Sequence, residues 1–310
     1  MITRRSRTLL AAALLALSAL FTLFFHRYAV DIGGTVLSVP VEAAADSTRL
    51  HKPVVAISVI SRYPPNVIYS GYQPMLDYLT ANTPYRFELR LCDDYNQAVQ
   101  LLLEGEAAAA FLGSYVYIKA RKEHGVVPVL KPLNTNREPF SRSVLFTRGD
   151  SPVFGVKDLR GRTLALPSAE SYSANWLLQT EFVRHGLAPK ELKGIVNFPH
   201  HQSVIHNVLA GAFDAGVTRE YLIARMRGRG LRVLLYSDPF PTSPLVVAKE
   251  HDPRIVAEIR RVLLALGPDR ADLAEITRGW DNEFVNGFVP ADDREYDAIR
   301  TLVNAAGRTR

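Results

Sequence analysis

From Pro53 onward, short apolar runs alternate with segments of helical spacing, and the alternation occurs twice. "VVAISVI" is rich in β-branched residues, "GYQPMLDYLTANT" carries Met75, Leu76 and Leu79 at helical spacing, and "RFELRL" alternates apolar with charged residues. "DYNQAVQLLLEGE" then reads as a helix, "AAAAFLG" as a buried strand, "SYVYIKARKEHG" as a helix ended by Gly125, and "VVPVL" as another strand. Parallel strands need long crossover connections, so this rhythm predicts a largely parallel sheet covered by helices on both faces. After "SVLFTRGDSPV" it restarts with "RTLALP", the helix "SANWLLQTEFVRHG", "GIVNF", the helix "QSVIHNVLAGAF" and "AGV". "LRVLLYS", "SPLVVAK" and two or three late helices follow, among them "DPRIVAEIRRVLLALG" and "DDREYDAIRTLVNAAG". The expected architecture is α/β, with two similar halves and a hinge.

Hydrophobic residues make up 47% of the 310 positions, enough for a sizeable core, which excludes a disordered chain. Lys and Arg exceed Asp and Glu by 37 to 31, but the surplus is dispersed. "RMRGRGLR", the one basic cluster, lacks interleaved aromatics and reads as a solvated helix end, so no nucleic-acid partner is expected. Cys92 is the lone cysteine, so no internal disulfide can form. Arg4, Arg5 and Arg7 precede the apolar run Leu9–Phe25, which reads as an export signal or a membrane anchor over residues 1–27. A run of about 17 residues is short for a membrane span and long for a cleaved signal. Ala43, Ala44 and Ala45, the only small-residue cleavage candidate, lie far beyond it, which favours an uncleaved transmembrane helix with the body outside the cytoplasm. Residues 28–52 read as a spacer.

Ligands of open parallel sheets bind beyond the carboxyl ends of the strands. Four such loops are predicted: "SRYPPN" after Ile60, "GSYVY" after Leu112, "PSAESYSAN" after Leu166 and "PHHQS" after Phe198. They carry hydroxyl, imidazole and guanidinium donors, and Glu170 is their only carboxylate. The unpartnered amides of a helix N-terminus at Ser171, Tyr172 and Ser173 suit a tetrahedral oxyanion, the simpler alternative being a serine N-cap. His200, His201 and His206 have poor spacing for a shared metal, and no cysteine or acid cluster completes such a site. A hydrogen bond from His201 to the same anion is expected, with a solvated surface histidine as the alternative. Arg62 and Tyr63 either add donors from the first half or stand at the surface. Without a Ser-His-acid set, a phosphate loop or a metal cluster, neither an enzyme nor a cofactor is expected.

Taken in order, "YQPMLDYL", "DDYNQAVQLLLEGEAAAAFLGSYVYIKA", "DSPVFGVKDLRGRTLALPSAESYSANWLL", "HHQSVIHNVLAGAFDAGV", "DPFPTSPLVV" and "REYDAIRTL" give a chain that resembles the phosphonate-binding (PhnD-like) family of periplasmic solute-binding proteins. These are the specificity components of phosphate, phosphite and phosphonate ABC importers. The resemblance covers nearly all of the chain from Pro53. It implies a type II periplasmic-binding-protein fold of two α/β lobes joined by two crossover strands, with ligand closed between them. Lobe 1 would comprise residues 53–146 and 244–310, and lobe 2 residues 147–243. The family's Ser-x-Ser anion site falls on Ser171, Tyr172 and Ser173, its histidine on His201, and its turn tyrosine on Tyr117.

Ala174, Gln202 and Ser243 depart from the family's common Gly, Asp and acidic residue. An aminoalkyl phosphonate needs acids for its ammonium, so a smaller anion (phosphate, phosphite or methylphosphonate) is the expected ligand. The implied partners are that anion and an ABC permease in the inner membrane. A periplasmic location follows, anchored through Leu9–Phe25. The alternative is a membrane-tethered ligand-sensing domain that signals to another membrane protein.

Overall fold

The computed structural model describes residues 16–22, 51–226 and 228–306. The chain divides into two units, Met1–Leu50 and His51–Arg310. In the first, residues 16–22 are helical, with Leu17, Leu20 and Phe21 exposed. The rest of the Leu9–Phe25 run, and the spacer up to Leu50, lie outside the described residues. Among the described residues no helix is long and apolar enough to cross a membrane.

The second unit is built on two sheets. Its first helix, α1 (Pro65–Asn82), starts with proline at the position where a missing N–H costs nothing, and buries Ile68, Tyr72, Met75, Leu76 and Leu79 along one stripe. The Lys52 ammonium donates to Thr80 O and Thr83 O at 2.6 and 2.8 Å, meeting the unpartnered carbonyls at the C-terminus of that helix.

β1 (Val54–Val59) pairs in parallel with β2 (Arg86–Leu91) and β3 (Ala109–Phe111). β12 (Leu245–Val247) inserts antiparallel between β3 and β4 (Val127–Pro132), and β13 (Phe288–Pro290) closes the edge. The order of this six-stranded sheet is β13-β4-β12-β3-β1-β2.

The five-stranded sheet runs β10-β6-β9-β7-β8. Here β7 (Thr163–Leu166) is parallel to β8 (Gly194–Asn197) and β9 (Ala215–Arg219). β6 (Ser143–Arg148) and β10 (Leu231–Tyr236) run antiparallel. The expected parallel arrangement thus holds within each βα series. It fails at β6, β10 and β12, which flank the two links between sheets, and at β13, which follows the late helices and pairs antiparallel with β4. Within those links β5 (Phe140–Ser141) and β11 (Phe240–Pro241) pair as a two-stranded ribbon.

Alternation along the strands sorts side chains between opposite faces. In β3, Ala109 and Phe111 join one core cluster and Ala110 another; in β6, Val144 and Phe146 join the first cluster and Leu145 a third. Each sheet is therefore covered on both sides, which leaves the loops at its strand ends as the places where polar groups gather.

Candidate functional site

The loop after β1 turns Arg62 inward, where it is 2% exposed. Its Nη1 lies 2.6 Å from both oxygens of Glu283 and donates at 3.3 Å to Ser243 Oγ. From the other sheet, Arg219 ends β9 and donates from Nη2 to the same Ser243 Oγ at 3.2 Å. One hydroxyl thus accepts from two buried guanidinium groups. Tyr63 and Tyr221 share a hydrogen bond between their hydroxyls, and the Tyr221 hydroxyl is 3.4 Å from Glu283 Oε1.

Burial is the largest influence on Arg62 and opposes its charge, but Glu283 together with Tyr72, Tyr221 and Tyr95 outweighs it and raises the pKa above the ordinary arginine value. Burial and then Arg62 itself push the pKa of Arg219 down, yet a guanidinium stays protonated throughout the working range. The result is two fixed cations against one carboxylate.

Several donors here have no partner. Arg62 Nε and Nη2 and the hydroxyls of Tyr72 and Tyr95 are buried without a hydrogen bond among the described residues. Both tyrosines feel the charges of Arg62 and Arg219. Burial keeps them protonated, with Tyr95 pushed up to about 12, so each still has a proton to donate. A buried orphan polar group costs on the order of 1–3 kcal/mol, and a native protein rarely collects several in one place without an acceptor to serve.

The five-stranded sheet supplies the remaining groups. α4 (Tyr172–Trp176) follows β7, widens into a π-helical stretch (Leu177–Glu181) and ends as α5 (Phe182–Arg184). Ser171 is its N-cap and accepts from Ala174 N at 3.2 Å. Ser173 Oγ is 2.7 Å from Ser143 Oγ, and Ser143 stands opposite Arg219 in the β6–β9 register, which ties the serine pair to the arginine strand. Tyr172 lays its ring on Phe240, with centroids 3.9 Å apart.

His201 opens α6 (His201–Leu209), and its Nδ1 is 3.1 Å from Thr218 Oγ1. Burial first, then Arg219, Arg62 and His200, hold its pKa well below the usual histidine range. It is therefore neutral at pH 7 and offers hydrogen bonds but no charge. His200 turns the other way, Nδ1 to Ser61 O at 3.0 Å, and links the loops of the two sheets. His206 is exposed, so the three histidines do not converge.

Of the residues singled out from sequence, the structure brings Arg62, Tyr63 and His201 into one electrostatic neighbourhood, with Ser173 joined to it through Ser143. Tyr117 is not among them. It lies one turn into α3 (Ser114–His124), where its ring packs on Tyr296 and its hydroxyl donates to Asp293. Sequence reasoning missed Arg219, Tyr221, Tyr72, Tyr95 and Glu283. Arg219 carried a signal, since it stands at the carboxyl end of a parallel strand.

Glu283 carried none, because tertiary packing places it. A Cβ on Gly71 would come within 2.9 Å of Asp281 Cβ, so a glycine lets α1 and this segment touch. Asp281 N donates to Gly71 O, and Glu283 N donates to Asp281 Oδ1. Phe284 packs edge-on against Tyr72 at 4.7 Å and anchors the segment from the other side.

Three solved structures share this fold at identities that speak to the fold alone. A binding protein component of an ABC phosphonate transporter from Pseudomonas aeruginosa aligns with TM-score 0.73 at 19% identity, over 83% of this chain and 88% of that one. PhnD1 of Prochlorococcus marinus, solved with methylphosphonate, aligns with TM-score 0.71 at 15% identity, over 82% and 98%. A Xanthomonas citri protein solved with ATP aligns with TM-score 0.66 at 22% identity, over 84% and 98%. A family model described as the periplasmic substrate-binding protein of phosphonate ABC transporters matches residues 57–296. The double βα rhythm, the loops that feed one polar cluster and this match agree, and the chain belongs to the phosphonate-binding family of periplasmic ABC-transporter substrate-binding proteins.

Proposed function

We propose that this protein captures a phosphorus oxyanion (a small phosphonate, phosphite or phosphate) between its two sheet-based halves and presents it to an ABC permease. Members of the family are substrate-binding proteins, not enzymes, and they work in the periplasm with a permease as partner. What carries the ligand class is the pair Arg62 and Arg219 on Ser243, with Arg62 Nε and Nη2 and the hydroxyls of Tyr72 and Tyr95 left without acceptors. An acceptor with oxygens in a tetrahedron and at least one negative charge suits donors arriving from both halves. The methylphosphonate complex of the Prochlorococcus protein and the ATP complex of the Xanthomonas protein show phosphorus oxyanions on this fold. Among the described residues, the only carboxylate hydrogen-bonded to the cluster's arginines is engaged with Arg62, which favours a small ligand without an ammonium group.

Calorimetric titration of the purified protein with methylphosphonate, phosphite, phosphate, 2-aminoethylphosphonate and ATP tests the proposal. One of the first three should bind with one-to-one stoichiometry, and Arg219→Ala should weaken it on the order of a hundredfold. Heat only with the aminoalkyl compound or ATP would refute the small-ligand reading, and heat with none would refute the function. The proposal includes tethering through Leu9–Phe25, supported by the apolar run and its flanking arginines. Recovery of the mature protein in the soluble periplasmic fraction, lacking that run, would contradict it.

A further inference from the structure

Glu283 meets Arg62 in an unusual way. Both carboxylate oxygens crowd one nitrogen, Nη1, whereas a matched pair lays two oxygens along two nitrogens of the guanidinium edge. The other two donor atoms of Arg62 have no hydrogen-bond partner among the described residues. Tyr221, the second contact of Glu283, is distant at 3.4 Å. The backbone of Glu283 is held through Asp281 and Phe284, while its side chain, 9% exposed, has these two hydrogen-bond partners among the described residues. It also borders a narrow cavity with Arg219, Tyr221, Asn282 and Thr242.

We infer that Glu283 is a specificity-determining residue: a resident carboxylate that competes with the ligand for Arg62 and disfavours dianions relative to monoanions. This rests on the oxyanion reading above.

The argument is one of charge. Arg62 and Arg219 contribute two positive charges and Glu283 one negative; His201 is neutral, and the facing phenols of Tyr72, Tyr95 and Tyr221 are protonated. Asp281, behind Glu283, adds negative charge when ionised. A monoanion brings the cluster close to neutrality. A dianion overshoots unless Glu283 leaves Arg62, and that change weakens binding. Like charges this close in a buried site are strongly unfavourable.

Glu283→Gln keeps the shape and removes the charge. Phosphate and methylphosphonate are the probes, titrated into wild type and variant at about pH 6 and about pH 8.5, on either side of their second ionisation. In wild type, affinity should fall as the dianion takes over. In Glu283→Gln it should rise at least about tenfold at the higher pH, and the ratio of the two affinities should shift toward the dianion. Glu283 raises the pKa of Asp281, so the comparison is repeated in an Asp281→Asn background, where the change in ratio reports Glu283 alone. Glu283→Asp, a carboxylate one methylene further from Arg62, should gain less, and it provides the same comparison should the glutamine variant fold poorly. Weaker binding in either variant at both pH values would overturn the inference and make Glu283 a support for Arg62. An unchanged ratio would overturn it too. If wild type binds neither probe, the functional reading fails instead.

Discussion

Ser243 is a small neutral residue between two large charges, and its neutrality sets the character of the cluster. Its hydroxyl accepts from both arginines, which holds two mutually repelling cations at a fixed separation while leaving their positive charge uncancelled. A carboxylate at that position would neutralise the site together with Glu283 and leave little attraction for an anion. Asp281 shows the opposite economy. Burial first, and the neighbouring Glu283 second, push its pKa up to about 6. An unfolded aspartate titrates near ~4, so between about pH 4 and pH 6 the folded state holds the extra proton. Stability contributed by that proton is lost as pH rises through the window, and the cost is fully present above it. Asp281→Asn keeps an acceptor for Glu283 N and removes the charge. Thermal melts should show the variant more stable than wild type at about pH 8, by on the order of 2 kcal/mol, with little difference at about pH 4.5. An equal gap at both pH values would show that the charge is not the cause.

At the scale of elements, the sequence is most legible where periodicity alone decides. "VVAISVI" and "RTLALP" become β1 and β7, and "DPRIVAEIRRVLLALG" becomes a helix over Pro253–Leu264 that buries Ile259, Val262 and Leu263. The Ser171 cap could be read because capping is local chemistry, a hydroxyl and an amide three residues apart. Arg219 was within reach of the same loop rule. "AGV" was taken as a complete strand, however, and the strand runs two residues further, to the arginine at its carboxyl end. Tyr117 was taken from resemblance alone; helical geometry turns it toward Tyr296. Glu283 is the instructive failure. It belongs to neither a strand end nor a helix start, and its position depends on a glycine two hundred residues earlier being too small to keep Asp281 away. Such a contact leaves no pattern in the local sequence.

At the scale of the whole molecule, the cluster poses a problem of access. Arg62, Arg219, Ser243 and His201 are all less than a tenth exposed, so in the proposed function a ligand reaches them only when the two sheet-based halves part. The halves also share apolar contacts, since one core cluster holds residues of both sheets, and the polar contacts that join them include three between loops and helices. His200 reaches Ser61, Tyr63 reaches Tyr221, and Lys119 on α3 forms a 2.6 Å ion pair with Glu170 in the loop before α4. The last pair is partly exposed, with side chains 32% and 23% accessible, so solvent screens it and its contribution to stability is about 0–1 kcal/mol. Its effect on the opening equilibrium is more visible, because it exists only while the halves are together. Lys119→Ala should leave the melting temperature almost unchanged while speeding ligand release about two- to fivefold, with association little altered, since the closed complex loses a bond that the open one never had. Raised ionic strength should reproduce the effect in wild type and not in the variant. The exchange Lys119→Glu with Glu170→Lys should restore slow release. Stopped-flow dissociation measured on the three proteins decides the matter: identical release rates would mean that this ion pair persists in both states and takes no part in closure.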